Sequence, residues 1–503
     1  MIWEDVLQLL KGISSGARAS EQAVTDLVYD SRKARFGCVF FCLRGAARDG
    51  HDYADEAYRA GCRLFVAERV LSLPEDASVC LVADAREALA VLSAAFFGHA
   101  DKELFLLAVT GTKGKTTVSS LAAQLLCSLG VKTGYIGSNG IVYGDVREET
   151  VNTTPESYQL HRTFRQMADA GVRCVVMEVS SQALFTHRVR GLSFPVGVFT
   201  NLAPDHIGPG EHPTFEHYRE CKASLFSDYG VDTVIYNEDD TAYEAMLRGA
   251  KEARRISFSL KNQAATYAAG DILPSRSPSV PGVAFHLAYG GKVWDAEIAM
   301  PGDFNVANAM AALALTREAL VRMGKGAAAE DIALILSHLA GVRVAGRFES
   351  VPLFDDRAFI IDYAHNGYSL SSVLRVLRAY APKRLVCLFG SVGGRTYGRR
   401  TELGAAAAKE ADLLIITSDN PDREDPKGIM EEIARAAGNA QRIMIEDRRD
   451  AIFYAVRHSL PGDIVLLAGK GHENYQLVKG VKYPFSERAL LKEAAEFVGR
   501  ALS

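Results

Sequence analysis

The sequence predicts an α/β protein of three domains: a small N-terminal α/β domain, a central doubly wound P-loop domain and a C-terminal open α/β, Rossmann-like domain. Three observations carry this. The chain has 503 residues, too many for one core, so two to four domains are expected. Short apolar, β-prone runs alternate with segments of helical period along most of its length, the pattern of parallel sheets covered by helices. Polar clusters stand just beyond several of these runs, where open α/β sheets bind their ligands.

The elements follow in order. In the first hundred residues, strands are expected at Cys38 to Cys42, Leu64 to Ala67 and Val79 to Val82, with helices around Asp52 to Ala60 and Ala85 to Phe97. A linker near Gly98 to Lys102 leads to the apolar run Leu104 to Val109. Further strands are expected at Cys174 to Val179, Val196 to Asn201 and Thr233 to Tyr236, then an antiparallel hairpin within Val283 to Ile298 and a helix over Asn305 to Leu320. Composition shifts again near Gly341 to Gly346. Beyond it, Phe359 to Asp362, Leu385 to Phe389, Leu413 to Thr417 and Ile464 to Ala468 read as buried strands. Helices at Tyr368 to Ala379, Glu402 to Lys409, Lys427 to Ala436 and Ala451 to His458 separate them. The expected domains are 1–100, 101–342 and 343–503.

Composition narrows the function classes. A hydrophobic fraction of 48% and a charged fraction of 23% describe an ordinary globular protein. A net charge of -4 gives no basic field, so no nucleic-acid partner is expected. No apolar stretch reaches the roughly 18 residues that span a bilayer, and Met1 to Lys11 carries Glu4 and Asp5, unlike a signal peptide. The eight cysteines form no CxxC pairs, which reads as reduced thiols in a cytoplasmic protein with no membrane partner and no zinc site. A monomer is expected.

The most informative segment is Gly111-Thr112-Lys113-Gly114-Lys115-Thr116-Thr117, directly after the run Leu104 to Val109. Apolar residues then recur at Val118, Leu121, Leu125 and Leu129, and Gly130 supplies a C-terminal stop. Strand, glycine loop and helix aim backbone N–H groups and a positive helix end at an anion. Lys115 is expected to reach terminal phosphates and Thr116 to place a hydroxyl on Mg²⁺. The general pattern wants a glycine five residues before Gly114, where this chain has Val109.

Glu178 ends one strand, with Ser180 and Ser181 beyond it; Asn201, Asp205 and His206 follow the next. A carboxylate and an imidazole at strand ends beside a phosphate loop suit a divalent cation. Taken singly, Glu178 reads equally as a capping acid and His206 as a loop histidine. Lys222 shares a helical face with Tyr218 and Phe226. It either snorkels to solvent or is buried, and burial depresses its charge and favours chemical modification.

Together, Thr110 to Thr116, Glu178-Val179-Ser180-Ser181, Asn201 to His206, Lys222, Asn305 to Asn308, Gly346-Arg347-Phe348 and Asp362-Tyr363-Ala364-His365 resemble the Mur ligase family. These are the ATP-dependent amide ligases of peptidoglycan precursor assembly. Asp30-Ser31-Arg32-Lys33, Asn152-Thr153-Thr154-Pro155 and Asp419-Asn420-Pro421 resemble the branch that adds the third residue of the stem peptide. The resemblance covers nearly the whole chain, in order. It implies a central P-loop ATPase domain in which Gly111, Thr112, Lys113, Gly114, Lys115, Thr116 and Thr117 hold ATP phosphates, and Thr116, Glu178 and His206 serve the metal ions. Lys222 would be carbamylated, turning a cation into an anion that organises Mg²⁺. Asn305, Arg347 and Asp362 would meet the nucleotide, with His365 nearby in a less defined role. Ser31, Asn152, Thr153, Thr154, Ser180 and Arg188 would hold a UDP-N-acetylmuramoyl dipeptide. Arg395, Asp419, Asn420, Pro421, Asp422, Gly469 and Glu473 would hold the incoming free diamino acid. Lys115, Lys222, Glu178 and His206 are the catalytic candidates.

The chain departs from the family pattern in three places. Gln182 stands where histidine is expected, and Thr186 where glutamine is common. Asp422 replaces the arginine of the Asp-Asn-Pro-Arg motif for meso-diaminopimelate, which would pair bidentately with a second carboxylate. An aspartate there repels that carboxylate, so L-lysine or L-ornithine is the expected substrate. The alternatives are that Asp422 caps the helix near Pro426 and that Arg423 or Arg395 binds diaminopimelate anyway.

The implied chemistry is activation of the D-glutamate side-chain carboxylate as an acyl phosphate, followed by attack of the diamino acid's amine. Three rival readings leave parts of the chain unexplained. A folylpolyglutamate synthetase-like ligase does not account for the residues before Leu104. A nucleotide-driven switch or motor does not account for the C-terminal polar clusters, and a non-catalytic scaffold does not account for Lys115, Glu178 and His206 together.

Overall fold

The computed structural model describes residues 1–11, 14–15, 21–45, 48–208, 210–275, 277, 279–394 and 398–502, with backbone alone at 14–15 and 500–502. Arg395 lies outside the described residues. The chain forms two compact units, one of residues 1–258 with 311–330 and one of 259–310 with 331–503.

The first unit holds two sheets. The N-terminal sheet runs Ser14–Ser15, Ser78–Val82, Leu64–Ala67, Cys38–Phe41, Asp26–Val28 across its width. Only the Ser14–Ser15 edge is antiparallel. Trp3, Val39, Val66 and Leu89 pack one face, and Phe40, Phe65 and Ala57 the other. Its helix Ala85–Phe96 begins at Asp84, whose carboxylate accepts from the Arg86 and Glu87 amides, a sequence-local N-cap.

The second sheet of this unit is built on Phe105–Thr110, flanked in parallel by Cys174–Glu178 and Val196–Phe199. Thr133–Gly137 extends it beyond the first neighbour, and Thr233–Asn237 and Arg254–Ser259 beyond the second. Strand order therefore reverses beside Phe105–Thr110, which is where such sheets place ligands. The sequence pattern missed the antiparallel extension through Gly140–Tyr143 and Val146–Glu148, because glycines and turns break it into pieces too short to show a period.

The segment expected as a linker is packed. Ala100–Glu103 forms a 3-10 turn, Asp101 is buried beside His161, and Phe97 meets Tyr158 edge to face. Tyr158 in turn donates to Asp26 of the N-terminal sheet at 2.7 Å.

The second unit contains an antiparallel meander, Tyr267–Pro274, Val283–Tyr289 and Lys292–Ile298, of which the sequence pattern located the last two strands. Its main sheet runs Glu349–Ser350, Ala358–Asp362, Asp463–Ala468, Arg384–Phe389, Leu413–Ile416, Arg442–Met444. All neighbours are parallel except the first pair. Separate apolar clusters, one around Leu374 and Ile433 and one around Ile452 and Leu491, cover its two faces. That is the open α/β architecture the alternation predicted. No helix among the described residues is long and apolar enough to cross a membrane.

Candidate active site

In the first unit, the loop after Phe105–Thr110 is a rigid cradle. Gly111 has φ of 144°, and a Cβ there would lie 2.0 Å from the Thr200 hydroxyl; only glycine fits. Gly114, at φ of 85°, precedes the helix Lys115–Ser128. The segment 200–203 clamps the loop from outside. Thr112 N–H donates to the Asn201 carbonyl and Lys113 N–H to the Asn201 side chain, at 2.8 and 2.9 Å. The Thr200 hydroxyl donates to the Lys113 carbonyl at 2.6 Å. The helix N-terminus is thereby held open towards an anion.

Two lysines converge under this loop. Lys115 Nζ donates to the Gly111 and Thr112 carbonyls at 2.9 and 3.1 Å. Lys222, from the helix Phe215–Asp228, is 1% exposed and donates to the same Gly111 carbonyl at 2.9 Å. Its Nζ lies 4.6 Å from the Tyr218 ring centroid. Burial first, then the neighbouring Lys115 charge, hold its pKa well below the usual lysine value. The snorkelling alternative is therefore excluded.

Glu178 is fully buried. Its Oε1 accepts from Tyr135 Oη at 2.7 Å and from the Ser138 amide at 2.9 Å; its Oε2 accepts from Thr116 Oγ1 at 3.1 Å. A carboxylate fixed in this way, together with the phosphate-loop hydroxyl, is a hard oxygen pair of the kind Mg²⁺ uses with phosphate oxygens. His206 is placed differently. Its side chain is 57% exposed, and its Nδ1 sits 2.9 Å from Glu211. The phosphate loop, Glu178 and Lys222 are brought together, with His206 at their margin, its ring 6.3 Å from that of Tyr218.

The residues expected to hold the muramoyl substrate lie in the same unit. Thr154 Oγ1 donates to the Glu178 carbonyl and accepts from the Ser180 amide, at 2.8 and 3.1 Å. Ser138 and Thr153 hydroxyls are 3.0 Å apart. Arg188 donates to the Thr154 carbonyl and pairs with Glu156, each at 3.1 Å; burial lowers its pKa. Asn152 is half-buried just before this group. Ser31 is buried in a 3-10 turn capped by Asp30. Thr154, Ser180 and Arg188 thus form one connected cluster backed by the Glu178 strand.

In the second unit, Asp362 ends its strand and accepts from the Phe348 and Ala364 amides, both at 2.8 Å. Burial raises its pKa, with Arg347 opposing. The Arg347 guanidinium lies 5.2 Å from the Tyr363 ring centroid, and His365 Nδ1 lies 2.8 Å from the Tyr363 carbonyl. Asn305 is buried, donating to the Pro301 carbonyl at 2.7 Å and accepting from Asn308 at 3.2 Å.

Sequence reasoning passed over the centre of the remaining cluster. Lys470 is fully buried, and its Nζ reaches Asp419, Asn420 and Glu473 at 3.3, 2.9 and 3.3 Å. Asn420 also donates to Glu473 at 2.9 Å. Gly469, at φ of 111°, lets the chain pass the Asp419 carboxylate, which would lie 2.9 Å from a Cβ there. A lysine between two glycines reads as a solvated loop. Only the spacing of acids at neighbouring strand ends hinted that a cation must lie among them. Pro421 is buried. Asp422 stands apart: its Oδ1 accepts from the Gly480 amide at 2.7 Å, and its backbone pairs with the hairpin Tyr475–Val478 and Val481–Pro484. It does not cap the helix at Pro426, whose cap is Asp425.

Comparison with known proteins agrees with this arrangement. Family models match in three consecutive segments: the Mur ligase family catalytic domain over residues 23–97, the Mur ligase middle domain over 109–316 and the Mur ligase glutamate ligase domain over 346–471. The chain is 38% identical to the UDP-N-acetylmuramoyl-L-alanyl-D-glutamate--2,6-diaminopimelate ligase of Geobacillus kaustophilus, over 94% of this chain and 95% of that one. It is 37% identical to the ligase of the same name from Geobacillus thermodenitrificans, over 95% and 96%. A solved structure of a 2,6-diaminopimelate ligase of this name aligns with a TM-score of 0.68 at 29% identity, covering 98% of each chain. The chain belongs to the Mur ligase family, in its MurE-type branch. It is an ATP-dependent acid–amino-acid ligase of peptidoglycan precursor synthesis. These relatives are diaminopimelate ligases by name, against the L-lysine or L-ornithine expected from Asp422. In the structure one oxygen of that Asp422 carboxylate already accepts from the Gly480 amide.

Proposed function

We propose that the protein joins meso-2,6-diaminopimelate to UDP-N-acetylmuramoyl-L-alanyl-D-glutamate. The carrying observation is the near-full-length likeness, at 37–38% identity, to two ligases named for that substrate. The engaged state of Asp422 and Glu473 supports it. Glu473 shares the Lys470 cation with Asp419, and one oxygen of Asp422 accepts from a backbone amide, so both acids already hold partners within the protein.

The working division of the chain is 1–100 for the UDP-substrate, 101–342 for ATP and 343–503 for the incoming amino acid. Gly111 to Thr117 would cradle the ATP phosphates, with Lys115 turning from the Gly111 and Thr112 carbonyls to the transferring γ-phosphoryl group. Thr116 and Glu178 would hold Mg²⁺, with His206 added on family resemblance; the ion supplies charge neutralisation. Asn305, Arg347 and Asp362 are assigned to the nucleotide on the same resemblance. The D-glutamate carboxylate attacks the γ-phosphorus and ADP leaves. The amine of diaminopimelate then attacks the acyl phosphate, loses a proton, and phosphate departs as the amide forms. Thr154, Ser180 and Arg188 would orient the dipeptide. Lys222 carries the conditions for carbamylation, since a buried amine that resists protonation is a nucleophile for CO₂. The reaction belongs in the cytoplasm, where the eight free thiols are stable. The test is stoichiometry: one ADP and one phosphate per amide formed, dependent on the muramoyl dipeptide and the diamino acid together. ADP release without amide formation would contradict the reading.

A further inference from the structure

The segment between His206 and Lys222 carries a group of ligand atoms that the ligase reaction does not use. His217 and Cys221 lie four residues apart on the helix Phe215–Asp228, so they share one face. The preceding loop lays His212 against them, fully buried. His212 Nδ1 and His217 Nδ1 are 2.9 Å apart, and Cys221 Sγ is 3.8 Å from the His217 ring nitrogens. One ligand atom from each residue falls within 4.8 Å of the others. Tetrahedral zinc, with bonds of about 2.0–2.1 Å to nitrogen and about 2.3 Å to sulfur, separates its ligands by roughly 3.3–3.6 Å.

We propose that His212, His217 and Cys221 form a site for a soft divalent metal, with Zn²⁺ the best match, separate from the Mg²⁺-type oxygen pair at Thr116 and Glu178. The orientation of His212 is that of a metal ligand. Its Nε2 lies 2.9 Å from Ser181 Oγ; donating there fixes the tautomer and leaves the Nδ1 lone pair facing His217 and Cys221. The Phe185 ring closes one side, 4.8 Å from the His217 ring. Cys221 loses its thiol proton to solvent as the metal–sulfur bond forms. Imidazole and thiolate select Zn²⁺ over Mg²⁺, and three protein ligands leave a fourth position for water. A metal here ties the His206 loop to the helix that carries Lys222.

Cobalt titration of the reduced, full-length protein in excess Mg²⁺ tests this. One equivalent of Co²⁺ is expected to give a near-ultraviolet thiolate-to-cobalt charge-transfer band and tetrahedral d–d bands, both abolished by one equivalent of Zn²⁺. Cys221→Ser is expected to lose the charge-transfer band, and His217→Ala the stoichiometric binding. Both side chains are half-buried and the variants should melt like the parent, which a thermal scan checks. A charge-transfer band that survives in Cys221→Ser, or no band at stoichiometric cobalt in the parent protein, would overturn the proposal and leave the trio as a packed hydrogen-bonded pair beside a thiol.

Discussion

Lys115 and Lys222 share one acceptor: each Nζ lies 2.9 Å from the Gly111 carbonyl oxygen. The shared oxygen sets the Lys115 charge beside a buried amine that resists protonation, and that charge is one of the causes of the resistance. ATP phosphates would draw Lys115 away, and a carbamate would turn the Lys222 amine into a negative group. The pair therefore links phosphate binding to the state of Lys222.

Lys115→Ala and Glu178→Ala are predicted to lower turnover by at least about 10²-fold, the scale seen when one charge-stabilising group is removed. Circular dichroism should be unchanged for Lys115→Ala, whose Nζ donates to two carbonyls of its own loop. Near-parental kcat at saturating ATP and Mg²⁺ in either variant would contradict the phosphate and metal assignments.

Lys222→Ala should lose most activity and regain part of it in high acetate or bicarbonate, which supply the missing carboxylate. Dose-dependent rescue in Lys222→Ala, absent in Lys115→Ala, is the informative result. A fully active alanine variant would show that Lys222 is merely packed.

Lys470→Met leaves the buried Asp419 and the half-buried Glu473 without their cation. Removing one partner of a buried charge group typically costs about 3–5 kcal/mol, so urea unfolding should shift by that order. KM for the diamino acid should rise as well. Parental stability would mean the cluster is wetter than its geometry indicates.

Acid should loosen the first unit through His161. Burial pushes this imidazole from 6.5 down to about 4, with a small contribution from His99. The folded value lies below the unfolded one, so the unfolded chain takes up the proton first. Stability is whole above pH 6.5 and drains as pH falls towards about 4. The expected loss is about 1–3 kcal/mol, reduced because a charged His161 would face Asp101, 3.6 Å away. Urea midpoints at pH 7 and pH 5 should differ less in His161→Gln than in the parent. An equal shift in both would place the acid sensitivity elsewhere.

What the sequence made legible was local. The strand Leu64–Ala67 falls where its apolar run put it, and the helix Lys115–Ser128 starts directly after the Gly111–Gly114 loop. Glu178 and Lys222 were legible as residue types out of place, a carboxylate at a strand end and a lysine on an aromatic face. What escaped depended on partners distant in the chain. Lys470 gains meaning only from Asp419 and Asn420, some fifty residues earlier. The partner of Asp422, the Gly480 amide, belongs to a hairpin formed far downstream and is invisible in the local sequence. Tyr135 and Ser138, which fix Glu178, sit on a glycine-broken meander that shows no strand period.

Substrate choice is the sharpest test of diaminopimelate addition. The measurement is kcat/KM for meso-diaminopimelate, L-lysine and L-ornithine, with UDP-N-acetylmuramoyl-L-alanyl-D-glutamate and ATP saturating. A second carboxylate held by charge-assisted bonds is worth about 1.5–3 kcal/mol, so meso-diaminopimelate should lead by roughly one to two decades. A lead for L-lysine or L-ornithine of any size would contradict the account and return Asp422 to the specificity role that its hairpin contacts argue against.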